Sequence, residues 1–377
     1  MNNRERYLET VLFGSPDKIP LMPGTGRKST RETWHRQGLP QETDTGEEIT
    51  AYAYKLSGGR EKLQSGGETF PVNERMIPMF EEKVIENRGD TQIVQDWKGN
   101  ICEISSEFST EYLRGGIDFV TRRWIKCPVE NRDDWESMKQ KYNPDDISRL
   151  PANAEKLGIS LCKRTYPVKL HFSGPFWQLR EWLGFENLCT MFYDDPEFVR
   201  DMINFWQQYI IRLMENAFRY FIPDEIHISE DMAYKSFSMI SPDMARDFLL
   251  PVWKQWGELI KKNKIPVYGI DSDGYIGELL PLWIEAGMNI CDPVEVAAGN
   301  DINEFRKKFG RTMAFRGGVD KRAIAKGGHV LEAEIERLKP VIRSGGFIPS
   351  CDHGVPPDVS WENFVYFIRL LAAETGW

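Results

Sequence analysis

The 377-residue sequence is poor in histidine, with five, and in cysteine, with six. The cysteines, at 102, 127, 162, 189, 291 and 351, are scattered and form no Cys-x-x-Cys pair. That leaves no disulfide framework, and they read as free thiols in a reducing cytoplasm. Cys351 stands out because it neighbours His353. Positive charge is also short: 48 Lys and Arg against 57 Asp and Glu give a net charge of −9, and the sequence pI is near 5.3. A nucleic-acid partner needs a basic footprint that is missing here, and so does a polybasic membrane anchor. No apolar run approaches the ~20 residues that cross a bilayer. The opening Met1-Asn2-Asn3-Arg4-Glu5-Arg6 carries acid early and leads into an amphipathic helix rather than a signal peptide. A cytoplasmic protein acting on a small molecule is the expectation. His-Glu-x-x-His, Gly-x-Ser-x-Gly and a strand-to-helix Gly-x-Gly-x-x-Gly are absent, which removes support for a zincin, a serine hydrolase and a dinucleotide-binding dehydrogenase.

What is present is an ordinary globular composition, 41% hydrophobic and 28% charged, with 12 Trp and 21 Phe to fill a large core. In the second half short apolar runs alternate with helical patterns. The runs cover 166–172, 225–229, 265–270, 288–291, 312–315 and 346–349, and such alternation predicts a parallel sheet with helices outside it. One helix is legible in detail. Asp195 is a good N-cap, Pro196 fits the first turn, and Phe198, Met202, Phe205, Trp206, Tyr209 and Leu213 recur as one apolar stripe. Ser241-Pro242-Asp243 opens another helix the same way. In the first half, Ile19-Pro20-Leu21-Met22 reads as a first strand. Residues 92–97 and 101–105 read as a β-hairpin turning at Lys98-Gly99-Asn100, which 113–119 and 120–129 continue. The expected organisation is one domain over 1–377, with 92–129 as a β-rich insertion.

Gly24-Thr25-Gly26-Arg27-Lys28-Ser29-Thr30 looks like a phosphate loop but is not one: Arg27, not glycine, precedes Lys28. It still offers backbone N–H groups with Arg27, Lys28 and Arg31 to an anion. The candidate chemistry lies at the ends of the expected strands. Glu230-Asp231 follow 225–229, Asp271 and Asp273 follow 265–270, Glu295 follows Asp292-Pro293-Val294, Arg316-Gly317-Gly318 ends 312–315, and His353 follows Ser350-Cys351-Asp352. In a parallel barrel all of these project to one rim. Asp271 and Asp273 are two apart and point the same way in an extended segment, so they repel unless a metal, a shared proton or an arginine intervenes. With His353 they form a set that could hold a divalent ion with open positions, and metal-free acid/base work or substrate hydrogen bonding remains equally open. His227, between Ile226 and Ile228, reads as packing or facing a barrel layer. His35, His171 and His329 show no partner pattern.

These segments together resemble the uroporphyrinogen decarboxylase superfamily, which also contains the corrinoid- and thiol-dependent methyltransferases. The resemblance rests on Arg4-Glu5-Arg6 to Ile19-Pro20, Ser173-Gly174-Pro175-Phe176, Ile240-Ser241-Pro242, the 271–274 strand end, Ala286-Gly287 with Asp292-Pro293, and the 352–357 loop running into Trp361-Glu362-Asn363. It implies an α/β fold, a (β/α)8 TIM barrel of the uroporphyrinogen decarboxylase type with an N-terminal β-hairpin excursion and its site at the C-terminal rim.

Of the decarboxylases' substrate-holding residues, the late histidine is matched by His353. Arg27 and Arg31 lie near the place of the family's arginine pair without its Arg-Gln-x-x-Arg pattern. The tyrosine position holds Glu181 beside Arg180. The methyltransferases hold zinc by His-x-Cys at the fifth strand end and a cysteine at the eighth; here those positions carry Asp271-Ser272-Asp273 and His353, with both thiolates replaced.

The resemblance therefore implies an enzyme of the methyltransferase branch that moves a methyl group from a small methylated compound to a corrinoid on a partner protein. Asp271, Asp273 and His353 are expected to bind a divalent metal, zinc first, with Glu230 completing the shell or acting as acid/base. Arg27, Arg31, Arg180, Arg316 and Asp231 are expected to orient substrate. The rival readings are a metal-free decarboxylase of a porphyrinogen-like or other carboxylated substrate, which needs no cofactor, and a non-catalytic binding barrel. Monomer and homodimer both stay open.

Overall fold

The alternation of apolar runs and amphipathic helices becomes, in the computed structural model of the chain, two β-sheets and their flanking helices. The structure describes residues 1–63 and 66–377. Among them the strands are β1 (Glu68–Thr69), β2 (Lys83–Asn87), β3 (Thr91–Gln95), β4 (Ile101–Ser105), β5 (Arg123–Lys126), β6 (Val168–Ser173), β7 (Glu225–Ser229), β8 (Val267–Asp271), β9 (Ile290–Asp292), β10 (Ala314–Val319) and β11 (Phe347–Cys351). The chain divides into two compact units. One comprises Met1–Phe70, Ile159–His171 and Ile222–Trp377, the other Pro71–Gly158 and Phe172–Phe221. No helix among the described residues is long and apolar enough to cross a membrane.

The first unit is built on a curled sheet in the order β1-β6-β7-β8-β9-β10-β11, in which β1–β6, β7–β8, β8–β9, β9–β10 and β10–β11 pair in parallel. It is the barrel the sequence pattern predicts. Side chains alternate along each strand. Ile226 and Ile228 on β7 and Tyr268 and Ile270 on β8 are buried, and the Tyr268 hydroxyl donates to the carbonyl of Trp253 on helix Leu250–Lys262, so this set faces the helices. The opposite set faces the barrel interior. At the N-terminal end the interior is closed by an apolar layer: Val267, Ile290, Ala314 and Ile348 pack against Tyr7 and Val11 of the first helix, Asn3–Val11. That helix begins in a capping box between Asn2 and Glu5.

The expected strand at 19–22 does not form. Pro20 and Pro23 have no N–H to give a ladder, and the segment is tied only at intervals: Ile19 N donates to Thr375 O, Cys351 N to Pro23 O and Val355 N to Thr25 O. Gly26 makes a parallel bridge to Val355. Thr30 Oγ1 donates to Val355 O at 2.8 Å and Trp34 Nε1 to Val359 O at 2.8 Å.

The second unit holds the antiparallel sheet β2-β3-β4-β5. The expected hairpin is β3–β4, and its turn is organised by Asp96, whose carboxylate accepts from the N–H groups of Lys98 and Asn100, with Gly99 at φ 89°. Two details differ from expectation. Part of 113–119 enters helix Glu111–Gly115, and β2, exposed along its whole length, adds a strand that its polar, charged sequence did not suggest. Helix Pro196–Phe218 begins where predicted, with Asp195 accepting from Phe198 N. Of its stripe, Phe198, Met202, Trp206, Tyr209 and Leu213 are buried.

At the base of the barrel Asp224 is 1% exposed and gathers four N–H donors from three residues: Arg4 at 2.8 Å, both Nε and Nη2 of Arg164 at 2.8 Å, and the Val168 N–H at 3.0 Å. Removing the carboxylate leaves the largely buried Arg164 guanidinium with its carbonyl acceptors Leu161 O and Ile222 O but without this counter-charge. Asp224→Ala is expected to cost about 3–5 kcal/mol, read as a lower denaturant midpoint at an unchanged slope.

Candidate active site

Beyond the apolar layer that contains Val267, the inward positions of three neighbouring strands are polar or small: Lys169 and His171 on β6, Glu225, His227 and Ser229 on β7, Gly269 and Asp271 on β8. A barrel interior is ordinarily filled by branched apolar side chains, so this composition marks the interior as a place for chemistry. The register sets His227 opposite Gly269, Ser229 opposite Asp271, and Asp271 opposite Asp292.

Gly269 is required there. A Cβ on it would stand 2.6 Å from His227 Nδ1 and 2.8 Å from Glu225 Oε1. With that space free, Glu225 Oε1 and His227 Nδ1 bond at 2.7 Å, and the Tyr7 hydroxyl donates to the other Glu225 oxygen. His227 Nε2 then faces Asp292 Oδ1 at 3.4 Å, and Arg316 pairs with the second oxygen of Asp292. His171 Nε2 bonds Ser229 Oγ at 2.8 Å, and Ser229 is the register partner of Asp271.

Burial, with Lys169 nearby, pushes the His227 imidazole down. Desolvation within the barrel, with His227 and Lys169, pushes His171 down, although its side chain keeps contact with solvent. Burial would raise the Glu225 carboxyl, yet its bond to His227 and the Lys169 and Arg316 cations hold it well below the usual range. Asp271 moves the other way, raised by burial and by the neighbouring charges of Asp273 and Asp231.

Nearer the rim a second group forms. His353 Nε2 lies 3.2 Å from Asp273 Oδ2. That bond raises the His353 imidazole against the opposing effects of burial, Lys321 and Arg27. It also holds Asp273 down although burial pulls it up. Glu295 is spanned by Lys321 at 2.8 Å and by the Gly274 N–H at 3.2 Å. Asp352 is raised by burial to about 6 while accepting from the N–H groups of Val296 and Lys321.

The backbone between these groups is unusual. Asp231 has φ 41° and Val294 φ 55°, and a β-branched residue in that region is a genuine outlier. Gly317, at φ 108°, lets β10 pass so close to Pro293 that a Cβ would fall 1.7 Å from its carbonyl oxygen.

The structure thus brings Asp273 to His353 but sets Asp271 in the inner group. Among the described residues the group of three whose ligand atoms lie within 4.8 Å of one another is His227, Asp271 and Asp292. The histidine that meets Asp271 is not the expected His353 but His227, which the sequence read as packing or facing a barrel layer. Glu230, expected in the shell, has the opposite parity: it is fully buried and accepts from Trp253 Nε1 at 2.7 Å on the helix side of the sheet. Asp231 reaches the group through its backbone N–H, which donates to Asp271 O at 3.3 Å.

Of the expected cations, Arg316 is paired with Asp292, and Arg31 with Asp44 at 3.0 Å. Arg27 precedes helix Lys28–Arg36 as its N-cap residue and acts on both Asp273 and His353. Arg180 belongs to the second unit, where it lies over the Trp177 ring at 4.4 Å beside Glu181, which is itself held by Lys98 at 2.6 Å and Arg122 at 3.2 Å. Cys351 is buried and its thiol pushed up to about 12, which suits a packed wall better than a nucleophile.

The inner group fits a divalent ion. Glu225 holds the Nδ1 proton of His227, so Nε2 presents a lone pair toward a carboxylate oxygen; that contact is repulsive unless a proton or cation lies between them. A carboxylate behind a histidine, orienting its free nitrogen, is the usual support of a metal-bound imidazole. One imidazole and two carboxylates leave a position open for substrate.

A family model described as Uroporphyrinogen decarboxylase (URO-D) matches residues 116–373. No curated protein matches the sequence. Among solved structures, a methyltransferase from Methanosarcina mazei is similar with a TM-score of 0.60 at 15% identity, over 100% of this chain and 98% of that one. A B12-independent methionine synthase from Shewanella sp. W3-18-1, in complex with selenomethionine, gives 0.43 at 11% identity over 88% and 85%. The first of these likenesses is one of fold.

Because the inner group depends on an empty inward position, Gly269→Ala is expected to force Glu225 and His227 apart. The cost is about 1–3 kcal/mol of stability from overpacking, measured by chemical unfolding. A crystal structure of the variant should show the 2.7 Å bond broken.

Proposed function

Because the chain belongs to the uroporphyrinogen decarboxylase family, we propose that it is a methyltransferase component, taking a methyl group from a small methylated compound and passing it to a corrinoid carried by a partner protein. The observation that carries the reading is the His227, Asp271 and Asp292 group with Glu225 behind it. A donor set with one face open suits activation of a methylated heteroatom. The rival reading, a clamp of arginines on a multiply carboxylated substrate, has less support, because Arg31 and Arg316 already pair with Asp44 and Asp292.

A divalent ion bound by the three donors would polarise the heteroatom that carries the methyl group. The rest falls to the chain's own residues. Glu225 fixes the tautomer and direction of His227. Arg316 steadies Asp292. His353, whose protonated form Asp273 favours, gives a proton to the heteroatom as its bond to carbon breaks, while the methyl group goes to the nucleophile on the partner. Arg27 and Lys321 keep the Asp273–His353 pair under positive charge, which suits an anionic portion of the substrate.

Two measurements test this. Elemental analysis of the purified protein should find one divalent ion per chain, zinc first, lost in His227→Ala and in Asp292→Asn but kept in Asp273→Asn. A protein that stays metal-free when supplied with metal, or a loss in Asp273→Asn equal to the other two, overturns the assignment. His353→Gln should keep its metal and lose roughly 10²–10⁴-fold in methyl transfer, the range of a general acid. Unchanged turnover removes His353 from the mechanism.

A further inference from the structure

Toward the N-terminal ends of the strands the barrel holds a cavity of about 140 Å³, open on one side, with Tyr7, Glu68, Thr69, Lys169, Glu225 and Arg316 in its wall. Two of these are cations. Arg316 has Asp292 as its partner. Lys169 makes no hydrogen bond and no close ion pair with any described residue, and its charge feels Arg316, Glu225 and Asp271 only at a distance. Of the two carboxylates in the wall, Glu68 is exposed and makes no close ion pair with Lys169, and Glu225 has its two oxygens engaged by Tyr7 and by His227. A half-buried ammonium beside a guanidinium, left without a counter-charge in contact, is unfavourable. A small anion in the cavity removes that cost.

We infer that this cavity is a binding site for a small carboxylate, with the Lys169 ammonium as its principal contact and Arg316 as the second. The space suits it. At about 30 Å³ for each water-sized group, the cavity accommodates roughly four such groups, the size of acetate. The Thr69 side of the wall belongs to β1 and the Lys169 side to β6, and the two residues are register partners, so the pocket floor is set by strand pairing rather than by a loop. The inference does not rest on methyl transfer. It concerns an anion beside the residues that position His227, whether that anion enters free or as the carboxylate of a bound substrate.

Isothermal titration of the purified protein with acetate, methoxyacetate and the neutral isostere acetamide tests it. Acetate is expected to bind at one site per chain. Lys169→Met is expected to weaken it about tenfold or more, the worth of a charged hydrogen bond, Lys169→Arg to retain it, and acetamide to give no heat. Methoxyacetate binding more tightly than acetate identifies the carboxylate as part of a methylated substrate, and equal binding identifies a free anion. Thermal unfolding of each variant confirms that it is folded, and Lys169→Gln replaces Lys169→Met if the latter is not. Acetate binding that is absent from the wild type, unchanged in Lys169→Met, or matched by acetamide overturns the inference.

Discussion

The bond between Glu225 and His227 is the constraint on which the interior of the barrel depends. Two positions apart on one strand, the two side chains share a face and meet only because Gly269, across the pair, contributes no side chain. Once made, the bond uses the inner nitrogen of the imidazole and turns the outer one toward Asp292. Tyr7, from the first helix, closes the other side of the carboxylate. A charged layer in the middle of a barrel can persist because its members compensate one another: Arg316 for Asp292, His227 and Tyr7 for Glu225, Ser229 for Asp271. The apolar plug of Val267, Ile290, Ala314 and Ile348 below it supplies the hydrophobic stabilisation that the polar layer does not.

Much of the barrel was legible in the sequence, because strand and helix periodicities are local and strong. The 225–229 run became β7 at the same bounds, and the helix after Asp195 starts at its predicted cap. The segment at 19–22 was misread because hydrophobicity suggested a strand while two prolines withheld its donors. For the candidate site, the placement of its residues at strand ends was legible and their mutual contacts were not. Asp271, Asp273 and His353 were correctly read as strand-end residues, but which of them meet depends on side-chain parity and barrel register, which single-strand patterns do not contain. Glu230 shows the point: one residue beyond Ser229, it faces Trp253 and the helices. A signal for His227 did exist, in the inversion of the usual alternation. Glu225, His227 and Ser229 alternate with Ile226 and Ile228, so the polar side of the strand had to face inward.

The rim is held in a less relaxed state than the wall. Asp231 and Val294, in the segments that follow β7 and β9, occupy left-handed backbone, and Gly317, inside β10, grazes the Pro293 carbonyl. Strain of this kind persists only where surrounding contacts over-determine it, and it gathers where positioning matters more than stability. Here the fixed points are the Lys321–Glu295 pair, the Glu295 contact with Gly274 and the two backbone N–H groups that converge on Asp352. Together they tie the ends of β8, β9, β10 and β11 to one another, so the Asp273–His353 pair sits on a braced frame.

The stitching of the opening segment to the closing one has a consequence for how the molecule is made. Thr30 and Trp34 find their acceptors 325 positions downstream, at Val355 and Val359. A ribosome working at about 5–20 residues per second takes on the order of tens of seconds to supply those acceptors. Throughout that interval the first helices have no lasting seat, and the barrel is an open trough whose charged layer is wet. Closure is therefore a late event, and contacts so distant in sequence slow folding. The nascent chain has the most to gain from a chaperone just before its last strand emerges.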